Sequence, residues 1–149
     1  PGTRLLEERA CARHGLEIVD VKIKSRAAPT RQEFVAMRDA LAGAKYPILI
    51  HCKSGADRAG VRGVMVRHVR SGGPVTGARQ QLSLRFGHIR QADTGVLDAV
   101  FDRYVADNEK TPIAFWDWVE TVYDAGEINR TFKAKGWASR LVKSVLRRE

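Results

Sequence analysis

Cysteine is scarce in this chain: 149 residues hold only Cys11 and Cys52, too few for the disulfide framework of a small secreted scaffold. Long apolar runs are missing too, and none approaches the length that crosses a bilayer. There is no internal repeat, low-complexity tract or linker, which excludes repeat and tethered-domain architectures. Basic stripes interleaved with aromatics, the usual nucleic-acid footprint, are also lacking, so no nucleic-acid partner is expected. The chain begins at Pro1 rather than Met, so a trimmed N-terminus is expected, one that would have had room for a signal peptide.

What is present is an ordinary globular composition, 44% hydrophobic and 29% charged, with enough chain for one domain with a core. A single domain over residues 1–149 is therefore expected. Against 17 acidic residues stand 26 basic ones, for a net charge of +9, which favours anionic partners such as phosphorylated ligands.

Hydrophobic periodicity predicts the elements in order. Residues 3–14 read as an amphipathic helix with Leu5, Leu6 and Ala10 inward and Cys11 facing the core, stopped by Gly15. Residues 16–23 alternate apolar and polar side chains, as a strand does. Thr30-Arg31-Gln32-Glu33 is a capping box opening a helix to about Ala42, with Phe34, Met37 and Leu41 inward. Residues 46–51 form a short apolar run, expected for a strand buried on both faces of a parallel sheet. Helices are predicted at 61–70, 76–85, 94–107, 111–123 and 137–148. The expected fold class is α/β: a central, mostly parallel sheet flanked by helices, with a helical C-terminal half.

The strongest signal lies between the second predicted strand and the helix after it: His51-Cys52-Lys53-Ser54-Gly55-Ala56-Asp57-Arg58-Ala59-Gly60. Strand, glycine-bearing loop and helix N-terminus together make an anion cradle. This one starts with a thiol and ends with a guanidinium, a nucleophile held beneath a phosphoryl group. A thiol attacks as its thiolate, and a free cysteine ionises only near a pKa of about 8.5. Backbone N–H groups of Lys53, Ser54, Gly55, Ala56, Asp57 and Arg58, the helix dipole and the Arg58 charge would all favour the thiolate. The same amides would bind phosphoryl oxygens, with Arg58 clamping two of them. Gly55 permits the sharp turn, Gly60 would let the helix start close to the sheet, and His51 would orient the loop by bonding its backbone.

The stretch resembles the signature of the cysteine-dependent protein tyrosine phosphatase superfamily, most closely its compact bacterial dual-specificity-like branch. The resemblance covers residues 47–70, and the segments 81–88 and 94–98 are similar to stretches of a bacterial subgroup. It implies a tyrosine phosphatase-like fold and a metal-free, cofactor-free, two-step hydrolysis of phosphate monoesters. Cys52 would take the phosphoryl group, and water would then release it. Arg58 would be the anion clamp, and Lys53 would face the mouth of the cradle.

The resemblance leaves two candidates for the general acid. Asp20 lies 32 residues before Cys52, the family spacing, yet it falls within the predicted strand, and the loop at 24–29 carries no acid. Asp57 sits inside the cradle, where like-charge repulsion from bound phosphate would favour its protonated form. Asp57 is the preferred acid and Asp20 the alternative. Ala59 replaces the usual hydroxyl residue after the arginine, which removes one stabiliser of the sulfur and predicts slow breakdown of the phosphoenzyme.

Gln81, Arg85 and His88, with Gln80 and Arg90, form a polar cluster that would line the site. Trp116, Trp118 and Tyr123 read as packing residues. The basic amphipathic segment 137–148 would allow weak contact with an anionic membrane surface. The expected substrate is a phosphorylated protein, with a phospholipid or lipid-linked phosphate as the alternative. A non-catalytic phosphate-binding module is the competing class. Two free thiols fit a reducing, cytoplasmic location.

Overall fold

Phe115 sits at the centre of the aromatic packing, with its ring 5.8 Å from Phe34, 5.1 Å from Tyr104 and 6.2 Å from Phe101. The computed structural model describes residues 2–132, and among them it has seven α-helices: α1 (Gly2–Arg13), α2 (Arg31–Gly43), α3 (Asp57–Ser71), α4 (Val75–Ala78), α5 (Val96–Lys110), α6 (Phe115–Thr121) and α7 (Ala125–Thr131). Short 3-10 turns at Arg79–Gln81, Leu84–Phe86 and Asp93–Gly95 link α4 to α5. The segment 137–148, read as a basic amphipathic helix, lies outside the described residues.

The elements follow from local chemistry. Thr30 caps α2 by accepting from the Glu33 amide at 3.2 Å, while the Glu33 carboxylate accepts from the Thr30 amide at 2.6 Å. Phe34, Met37 and Leu41 then fall on one stripe and are buried. Gly72 adopts the left-handed conformation that ends α3. Asp124 caps α7 by accepting from the Glu127 amide at 3.0 Å. The core is shared by α2, α3, α5 and α6, with Trp118 and Tyr123 fully buried as packing residues. Arg31 donates to the carbonyls of Tyr123 (2.8 Å) and Glu120 (3.0 Å), which ties the start of α2 to the end of α6.

The expected central parallel sheet is not there. Among the described residues there is no strand, and segments 16–24 and 44–52 belong to no helix or ladder. Alternation proves a report on covering rather than on pairing. Ile23 is buried and Val21, Ile48 and Ile50 pack against the helical core, while Val19 is 56% and Leu49 89% exposed. Each segment lays alternate side chains on the core without a neighbour to share its backbone hydrogen bonds, which is what a sheet requires. An apolar run with Leu49 in solvent is not a strand covered on two faces.

Smaller corrections follow the same logic. Leu5 and Leu6 of α1 point outward at 48% and 66% exposure, and Cys11 is half-buried. The helix predicted at 76–85 breaks after Ala78 into 3-10 turns, where Gly87 takes φ 77°. Hydrophobic periodicity gives no sign of α7. No helix among the described residues is long and apolar enough to cross a membrane.

Candidate active site

The cradle forms where the unpaired segment 44–56 meets the first turn of α3. Gly55 takes φ 74°, a conformation that side chains resist, and so turns the chain sharply between Cys52 and the helix. Lys53, Ser54 and Gly55 are exposed, so the mouth of the loop faces solvent, while Ala56 is buried beneath it. The Gly60 amide bonds the Ala56 carbonyl at 2.8 Å. Asp57 and Arg58 thus occupy the first turn of α3 at the positive end of its dipole.

Cys52 is half-buried. Burial pushes its thiol up, but the backbone amides of Ala59, Ser54 and Gly55 and the charge of Arg58 favour the thiolate. The donors win, and the thiol is held below its ordinary value. Ala59 offers no hydroxyl to the sulfur, and acts on it through its backbone amide. Arg62, one turn further along α3, was missed by sequence reasoning. It lies within electrostatic reach of both Cys52 and Arg58, and its Nη2 donates to the Val21 carbonyl. Burial holds its guanidinium below its ordinary value, Cys52 opposes that shift and Arg58 reinforces it. Two guanidiniums therefore lie within electrostatic reach of one thiol, as in an anion site.

The two candidate acids part company. Asp20 is spread against Arg4 of α1, with Oδ2 at 2.8 Å from Nη2 and Oδ1 at 3.0 Å from Nη1. Asp57 turns instead to His88, its Oδ1 2.7 Å from Nδ1. The other ring nitrogen of His88, Nε2, lies 2.6 Å from Asp98 Oδ2. His88 is fully buried, as is most of Asp98. Burial lowers the affinity of the imidazole for its second proton, but hydrogen bonds and charge from Asp57 and Asp98 outweigh it and raise the His88 pKa to about 9. With its pKa raised this far the ring favours the imidazolium form at neutral pH, held between Asp57 and Asp98.

Three separate elements deliver this triad. Asp57 comes from the first turn of α3 and Asp98 from the first turn of α5. His88 follows the tight turn at 83–88, closed by its amide on the Ser83 carbonyl at 3.1 Å. A Cβ at Gly87 would stand 3.5 Å from that of Ala56, so this turn runs against the base of the cradle. Asp98 ends the stretch 94–98 that the resemblance covers, but sequence reasoning gave it no place in the site. Its signal was an acid set among Leu97, Val100 and Phe101 on the buried face of α5.

The remaining expectations are mixed. His51 does not orient the loop backbone, since its Nε2 bonds Glu7 Oε1 of α1 at 2.7 Å. Gly60 makes room for Leu82 and the Gln81 carbonyl, not for a sheet. Gln81 lays its side chain on Gly63 of α3. Arg85 is exposed, its guanidinium 5.7 Å from the Phe86 ring centre, and Arg90 pairs with Asp102, which also holds Arg79. Of the polar cluster, His88 is the member joined to the cradle by a hydrogen bond. No group of three or more His, Cys, Asp or Glu side chains is placed to hold a metal ion among the described residues. Comparison with protein-family models, curated proteins and solved structures finds no match for the chain.

Proposed function

We propose that the chain is a phosphate monoester hydrolase acting through a cysteinyl-phosphate intermediate, of the protein tyrosine or dual-specificity type. The observation that carries this reading is the activated sulfur: three backbone amides and Arg58 act on Cys52 and hold its thiol below the ordinary value. Donors that stabilise a thiolate also suit the equatorial oxygens of a phosphoryl group above it. Arg58 and Arg62 add the charge that dianion binding needs. Exposed Lys53, Ser54 and Gly55 leave the cradle open at the surface, which supports a phosphate carried on a large molecule such as a protein.

In the first step the Cys52 thiolate forms the S–P bond as the ester P–O bond breaks, and Asp57 protonates the departing oxygen. In the second, water attacks phosphorus, Asp57 takes its proton, and Cys52 leaves as thiolate. Hydrolysis of a generic aryl phosphate tests the reading. The wild type is expected to turn it over in the presence of a chelator, and Cys52→Ser is expected to lose the activity. Retained turnover in Cys52→Ser would refute the assignment. A panel of phosphopeptides, phosphoinositides and other phospholipids then identifies the substrate class; preference for lipids would replace the protein assignment.

A further inference from the structure

The Asp57–His88–Asp98 chain is costly. Three ionisable groups are taken from water where a hydrophobic contact would hold α3 and α5 together as well, because a buried ion pair seldom improves on apolar packing. Its geometry is also demanding. A neutral imidazole has one N–H and cannot donate to both carboxylates, so the contacts at 2.7 and 2.6 Å require two protons on or beside the ring. Each bond fixes the ring against rotation, and its burial removes the alternative of water. One end of this rigid chain is Asp57, which lies next to Arg58 in the cradle.

We infer that His88, anchored by Asp98, is the positioning residue that holds Asp57 for proton transfer: it binds Oδ1 and leaves Oδ2 to face the oxygen of the departing group. This rests on the phosphatase reading above and specifies how its acid is held. As Oδ2 gives its proton to the leaving oxygen and the P–O bond breaks, a carboxylate forms on Asp57 with a His88 N–H already directed at it. The hydrogen bond strengthens as the charge appears, so it favours the transition state over the ground state. In the second step the same bond holds the carboxylate while it receives the proton of the attacking water. A tie that merely joined α3 to α5 would be indifferent to the leaving group.

That indifference is the test. Turnover is measured on aryl phosphates running from good to poor leaving groups, for the wild type, His88→Gln, Asp98→Asn, Asp57→Asn and the His88→Gln/Asp57→Asn double variant. Thermal unfolding of each is followed in parallel. On the poorest leaving groups His88→Gln is expected to lose about 10- to 100-fold in kcat/KM, which reports the first step even where the second limits kcat, and far less on the best. The loss stays at or below the lower end of what general acid catalysis supplies, because Asp57 itself remains. Asp98→Asn should show the same trend to a smaller degree. Adding His88→Gln to Asp57→Asn should cost little more, because both act through one group. Equal losses across the leaving groups, or losses that multiply in the double variant, would overturn the inference. Should His88→Gln fail to fold, Asp98→Asn keeps the imidazole, and its dependence on the leaving group decides the same question. Wild type inactive on every ester, or active Cys52→Ser, would instead refute the phosphatase reading, so the two failures are separable.

Discussion

His88 has nothing but protein around it, and its charge depends on Asp57 and Asp98 for compensation. In the unfolded chain its imidazole titrates near its ordinary value of 6.5, and in the folded protein near 9. The folded state therefore holds the extra proton between these values. The triad's contribution is full below about pH 6.5 and is lost as pH rises through about 9, at most about 3 kcal/mol. Urea unfolding at a series of pH values should show stability falling across that window, and His88→Gln should flatten the slope. An unchanged slope in the variant would mean that His88 is not the group titrating. Cys52, Arg58 and Asp57 were legible in the sequence because a loop keeps its chemistry within a few consecutive positions. Asp98 and Arg62 were not, since their relation to the site arises only when α3 and α5 pack, and a lone acid or arginine in a helix carries no mark of its partner.

At the scale of elements, Gly95 decides how α5 begins. It is buried at the N-terminus of that helix, and a Cβ there would overlap the carbonyl of Arg90. This close approach brings the segment after His88 onto the first turn of α5, where Asp98 waits. Gly95→Ala is expected to cost about 3 kcal/mol or more, because backbone rather than a flexible side chain must yield, and to lower the melting temperature by roughly 10 °C. Gly77→Ala, with nothing near its Cβ position, should be neutral or stabilising by up to about 1 kcal/mol. Similar melting temperatures for the two variants would contradict this account of α5. The helices were the readable part of the fold. The capping box at Thr30 and the stripe of Phe34, Met37 and Leu41 specify α2 locally, and the apolar positions of α3 do the same. The absence of the sheet was not readable, because residues 16–23 have the side-chain alternation and residues 46–51 the apolar run expected of strands, whereas a strand exists only through a partner elsewhere in the chain. Nothing in either segment encodes whether that partner arrives.

For the whole molecule, the division of labour is between a helical core and unpaired segments that carry the proposed chemistry. α2, α5 and α6 bury the aromatic cluster around Phe115, while the loop at 51–56 stands on α3 with its mouth in solvent. Placing reactive groups on loops held by a rigid scaffold is a common solution, and the net charge of +9 suits the capture of an anion. The central claim is that this scaffold makes Cys52 a phosphate-accepting nucleophile. Its most direct test is rapid mixing with a generic aryl phosphate in chelator, acid quenching, and mass spectrometry of the Cys52 peptide. Phosphate is expected on Cys52 in the wild type, formed with a burst of the released phenol because Ala59 leaves the second step slow, and none in Cys52→Ser. Turnover without phosphate on Cys52, and undiminished in Cys52→Ser, would contradict it.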